Sequence, residues 1–159
     1  MKSKTLILGI GNEILGDDAV GIKVGKYFRK MNLPIDIEFA GITGLRLLDY
    51  IQGYDKLVIV DALEINYDDM SKYSVRVFTD VDLLDNSVFY SAHDTSLGMA
   101  LKLAKESHSN VFPKIIKIVA IEIPYQHEYS SELSPQTKKL MDESIVIISN
   151  ILREFNITL

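Results

Sequence analysis

Short apolar runs alternate with amphipathic segments along this chain, and that alternation constrains the fold more than any other feature. Residues 4–10 (KTLILGI) and 56–61 (KLVIVD) read as buried strands, and 115–121 (IIKIVAI) as another. Residues 35–39 (IDIEF) and 73–79 (YSVRVFT) alternate apolar with polar, as strands with one wetter face do. Between them, 17–30 predicts a helix with Val20, Val24, Tyr27 and Phe28 on its apolar face. A short helix is predicted over 44–51. A longer one over 94–107 carries an apolar stripe of Leu97, Ala100, Leu101 and Ala104. Ser134-Pro135 opens a last helix, because serine caps exposed amides and proline suits the first helical position. Its apolar side is Leu140, Met141, Ile145, Ile148, Ile151, Leu152 and Phe155. The order predicts a three-layer α/β/α domain with a mostly parallel sheet, the 73–79 strand being the candidate antiparallel member. In such sheets functional groups gather beyond the carboxyl ends of the strands.

With 159 residues and no linker, repeat or low-complexity tract, the chain is expected to form a single domain over 1–159. It has no cysteine, which excludes disulfides, thiolate metal sites and cysteine nucleophiles. Met1-Lys2-Ser3-Lys4 leads straight into a strand-like run, without the apolar core of a signal peptide. No stretch approaches the roughly 20 apolar residues of a membrane span. A cytoplasmic protein with no membrane partner is expected. The net charge of −5 opposes general nucleic-acid binding.

The first strand runs into Gly9-Ile10-Gly11-Asn12-Glu13-Ile14-Leu15-Gly16-Asp17-Asp18. A glycine-rich strand-to-helix turn suggests phosphate or dinucleotide binding. Ile14, however, occupies the third glycine position of the dinucleotide fingerprint, and no Gly-Lys-Ser/Thr follows. Glu13, Asp17 and Asp18 would repel an anion and attract a cation. Taken alone, Asp17 and Asp18 read as first-turn acids, which stabilise a helix by ~0.3–1 kcal/mol each. Asp61 ends an apolar strand, where a carboxylate is costly to bury unless paired or bound to a metal; alone it reads as a turn cap. His93, ahead of the 94–107 helix, alone reads as a histidine bonded to nearby backbone. Glu13, Glu64, Asp68 and Asp69 read as loop acids, and His108 and His127 as structural or solvated. As a set, Asp18, Asp61 and His93 are two oxygen ligands and an imidazole. That donor set suits nickel, zinc or manganese, and three protein ligands leave positions open for water or substrate. An open site of this kind can polarise a carbonyl or activate water.

These motifs, in order, resemble the hydrogenase maturation endopeptidases. The similar elements are Gly9-Ile10-Gly11-Asn12 through Asp17-Asp18 to Gly21, the turn Gly41-Ile42-Thr43-Gly44 entering a short helix, and Asp61-Ala62 closing a buried strand. His93 followed by Leu97, then Pro124 and Leu133-Ser134-Pro135, complete the set. The resemblance implies a twisted, mostly parallel five-stranded sheet of the phosphorylase/hydrolase-like kind. It implies removal of a C-terminal extension from a nickel-loaded hydrogenase large-subunit precursor, by metal-assisted or aspartic-type hydrolysis. Asp18, Asp61 and His93 are the implied metal ligands and catalytic groups, with nickel supplied by the precursor and another divalent ion such as zinc an option in the free protein. Asn12, Asp17, Gly41, Thr43 and Gly44 are the implied substrate contacts. The chain departs from the family at Asp18, often glutamate there, at Ala19, often glycine, and at Ile121, often glycine. A monomer is expected, since every apolar face identified has an intramolecular use. The competing readings are an anion-binding α/β module, and a same-fold peptidase or binding-only relative with another target.

Overall fold

A computed structural model of the protein describes residues 3–41, 46–79, 95–125 and 128–159. The strands are β1 (Thr5–Ile10), β2 (Asp36–Ala40), β3 (Lys56–Glu64), β4 (Val75–Thr79) and β5 (Ile115–Ile123). The helices are α1 (Val20–Arg29), α2 (Leu47–Ile51), α3 (Thr95–Ser107) and α4 (Pro135–Glu154). The sheet order is β2-β1-β3-β5-β4. All pairings are parallel except β4 with β5, so the edge strand expected to run antiparallel does so. Among the described residues no helix is long and apolar enough to cross a membrane.

Side chains alternate between the two faces of a strand, so each central strand feeds two cores. Ile7, Val58, Val60, Val119 and Ile121 pack with α1 and α4 through Val20, Val24, Phe28, Ile148 and Leu152. Leu6, Leu8, Leu57, Ile59 and Ile118 pack with α2 and α3 through Leu47, Ile51, Leu97 and Leu101. By the same alternation Asp61, Ala120, Glu122 and Arg76 belong to the α2/α3 face.

Four expectations need correction. The helix of 17–30 is not α-helical from its start: Gly16–Ala19 forms a 3-10 turn, and the α-helix begins at Val20. Tyr27 leaves the apolar face and is 43% exposed, its ring meeting that of Phe28 edge-on with centroids 5.3 Å apart. The buried stripe follows the i, i+4, i+8 row of Val20, Val24 and Phe28, and Tyr27 lies beside that row. Asp61 does not close its strand, because β3 continues to Glu64, paired with β5 through Glu64↔Ile123. The β1 ladder does stop just before it, at Gly9↔Val60. Glu64 is therefore a strand residue rather than a loop acid.

Helix α1 lies close against the end of β1 and the middle of β3. A Cβ on Gly21 would fall 2.3 Å from the Ile10 carbonyl oxygen and 2.4 Å from that of Val60. On Gly9 it would fall 2.6 Å from the Gly21 carbonyl oxygen. All of these obstacles are backbone, so no rotamer change relieves them. Gly21→Ala is expected to lower unfolding free energy by about 2 kcal/mol or more, read as a lower urea midpoint at unchanged slope.

Candidate active site

The loop from β1 to α1 is drawn tightly over the carboxyl edge of the sheet. Gly11 approaches Asp18 so closely that a Cβ there would sit 2.2 Å from the Asp18 carbonyl oxygen. The Asn12 amide then donates to Asp18 Oδ2 at 2.9 Å. The Asn12 side-chain oxygen accepts from the Ile14 amide at 3.2 Å, so this residue organises the turn from both its groups. The far side of the loop is latched to the segment before α4: Gly16 donates to the Ser130 carbonyl at 2.7 Å, and Ser130 donates to that of Ile14 at 2.9 Å. Glu13 is exposed and ion-paired with Lys26.

The adjacent acids have different surroundings. Asp17 is 2% exposed and faces inward. Its carboxylate accepts from the Ser134 amide at 2.6 Å and from Ser134 Oγ at 2.8 Å. Ser134 is also the cap of α4, its Oγ accepting from the Thr137 amide at 3.3 Å, with Pro135 in the first turn as expected. Asp17 thus ties the first loop of the fold to its last helix. Asp18 is partly buried in the 3-10 turn Gly16–Ala19, tied to the start of the loop after β1 by the Asn12 amide.

Asp61 is partly buried in the next strand, and its Oδ1 accepts from the Ala62 amide at 2.9 Å. The tight seat of Gly21 on Val60 puts the start of α1 directly over the residue before Asp61. Asp18, in the turn after β1, and Asp61, on β3 just past its last pair with β1, are therefore each oriented through one oxygen by a backbone amide. Two amide-held carboxylates are hard, anionic oxygen donors, a set that fits a divalent cation.

His93, Thr43 and Gly44 lie outside the described residues, as does His127. Among the described residues no three His, Asp or Glu side chains come together as a metal site. Gly41 is exposed beside the loop, with its Cβ position 3.9 Å from the Gly11 carbonyl oxygen. His108 is exposed just past the end of α3. Asp69 caps a short 3-10 turn by accepting from the Ser71 amide, and Asp68 pairs with Lys72.

One group at this edge escaped the sequence reading. Glu122, 0% exposed, accepts from the Ser74 amide at 2.8 Å, Ser74 Oγ at 3.1 Å and Tyr67 Oη at 3.1 Å. Arg76 Nε lies 2.5 Å from its Oε1. Partial burial is the largest single influence and disfavours the Arg76 charge, but Glu122 and Tyr67 together outweigh it and raise the guanidinium pKa above its ordinary value. The available signal was a lone acid continuing the apolar run that reads as β5.

A mostly parallel five-stranded sheet flanked by helices defines a class of α/β folds rather than one protein. The comparisons narrow it. Residues 22–151 match the family of hydrogenase maturation proteases, a span that contains Asp61 and His93 and begins after Asp18. A candidate hydrogenase maturation protease of Methanocaldococcus jannaschii is 32% identical over 157 residues, covering 92% of this chain and 95% of that one. The hydrogenase 2 maturation protease of Escherichia coli is 27% identical over 154 residues, covering 95% and 92%. In structure, the E. coli hydrogenase maturating endopeptidase HybD superposes with a TM-score of 0.77 at 23% identity, covering 97% of this chain and 94% of that one. HybD from Thermococcus kodakarensis gives 0.73 at 23%, covering 93% and 98%. The chain belongs to the hydrogenase maturation protease family.

The Asp17–Ser134 contact sets a measurable expectation. Asp17→Ala removes the acceptor of two charge-assisted bonds in a buried place and should cost about 2–3 kcal/mol. Ser134→Ala should be strongly non-additive with it in a double-mutant cycle followed by thermal unfolding.

Proposed function

We propose that this chain is the endopeptidase that removes the C-terminal extension from a nickel-loaded nickel–iron hydrogenase large-subunit precursor. The observation that carries the reading is the joint position of Asp18 and Asp61. In a chain of this family, two amide-oriented carboxylates sit in the turn after β1 and on β3 just past its last pair with β1. With His93 they form the donor set that would receive the nickel carried by the substrate. Docking the precursor through its own metal brings one peptide bond to this edge, and holding two reactants together removes much of the entropic barrier. A water held by one of the carboxylates then attacks the carbonyl carbon. That carboxylate takes the proton of the water as the C–O bond forms, and returns it to the leaving amine as the C–N bond breaks.

The acidic loop argues against the anion-binding alternative. In the described turn Asp18 takes the Asn12 amide, a donor that a bound phosphate would need for itself. The net charge supports a protein partner over nucleic acid, and we place the reaction in the cytoplasm with the enzyme acting as a monomer.

The test is a processing assay on purified large-subunit precursor with and without nickel, followed by mass spectrometry of the released peptide. Wild type is expected to release it only from the nickel-loaded form. Asp18→Ala, Asp61→Ala and His93→Ala should each lower kcat/KM by about a hundredfold or more. Processing that survives Asp18→Ala and His93→Ala would remove these residues from the mechanism.

A further inference from the structure

The carboxyl edge carries a second polar arrangement, on the same face as Asp61. Asp61 is in register with Ala120, and Ala120 with Arg76, so the acid and the guanidinium occupy one row across β3, β5 and β4. Neighbouring strands are about 4.8 Å apart, which puts the two backbone positions roughly 10 Å apart. An extended polypeptide covers that distance in about three residues.

Burying Glu122 completely is costly, and apolar side chains of the same volume would fill its place as well or better. What the buried carboxylate does provide is direction. It holds Arg76 Nε, Tyr67 Oη accepts from Arg76 Nη2 at 3.2 Å, and Tyr67 is itself bonded to Glu122. One edge of a planar fork is thereby fixed, while the Arg76 side chain remains 50% exposed. A guanidinium held this way has lost its rotamer freedom in advance and suits a carboxylate. The edge is therefore polarised, with Asp18 and Asp61 toward its middle and a fixed cation toward β4.

We propose that Arg76, oriented by Glu122 and Tyr67, is a subsite for a carboxylate side chain of the protein substrate, one that lies within a few residues of the cleaved bond. This rests on the reading of the chain as a processing peptidase. Arg76 is a binding and specificity residue, and Glu122 a positioning residue that acts through it.

The experiment uses the nickel-loaded precursor and full-length enzyme. Each Asp or Glu near the cleaved bond is changed singly to Asn or Gln and paired with wild type, Arg76→Gln, Arg76→Lys and Glu122→Gln. KM and kcat are measured for each pair, with the unfolding temperature of each enzyme. Arg76→Gln is expected to raise KM about tenfold or more, with a far smaller change in kcat. Arg76→Lys should recover part of that loss, and Glu122→Gln should show a smaller rise. One precursor acid should reproduce the loss with wild type and add nothing with Arg76→Gln. A folded Arg76→Gln enzyme with unchanged KM overturns the subsite, as does a precursor scan in which no acid affects KM with wild type. The scan needs no enzyme variant, so it decides even where Arg76→Gln fails to fold. Should wild type process no nickel-loaded precursor, the parent reading falls and the subsite with it. Normal wild-type processing with no Arg76 effect overturns the subsite alone.

Discussion

The contact of α1 with the end of β1 and the middle of β3 is made by backbone, and the geometry of the acidic edge depends on it. Gly21 rests against the carbonyls of Ile10 and Val60, and Gly9 meets the carbonyl of Gly21. With no side chain between them, helix and sheet approach as nearly as their main chains allow. The loop joining β1 to α1 must then fold back within a few residues, and Gly11 lets the Asp18 carbonyl drop onto it. A methyl group at any of these points would lift the helix start and carry Asp18 away from Asp61. Displacements of about 1 Å at a reacting centre can cost a hundredfold in rate.

A main-chain amide holds one oxygen of each carboxylate. Asn12 N–H orients Asp18, and the amide of Ala62 orients Asp61. One oxygen of each acid is thus oriented by the fold itself. The neighbouring acid, Asp17, looks equivalent in the sequence and is used for construction instead.

Much of this was legible in the chain. The apolar runs of β1, β3 and β5, the antiparallel edge strand and the Ser134-Pro135 helix start all follow from local pattern. So did Asp18 and Asp61 as a pair worth attention. What escaped depends on partners distant in sequence. Residues 56–61 gave no sign that β3 would run on past Asp61, since the continuation is dictated by pairing with β5. Asp17 read as a helix-dipole acid because its partner is 117 residues away. Glu122 passed unnoticed because its burial makes sense only once Tyr67, Ser74 and Arg76 surround it. His93, Thr43 and Gly44 were singled out by motif alone and lie outside the described residues.

The Asp17–Ser134 bond also bears on how the molecule comes into being. It closes a loop of 117 residues, so its formation waits until nearly the whole chain is present. Loop-closure entropy grows only slowly with length, roughly as (3/2)RT ln n, so the bond is affordable once the intervening sheet has formed. Contacts of such long range form late and slow the folding of the domains that contain them. On a ribosome, the residues preceding Ser134 can assemble the central strands while the acidic loop still lacks its latch. The acidic loop would then be among the last parts of the fold to set, held in place only once the segment that opens α4 has docked against it.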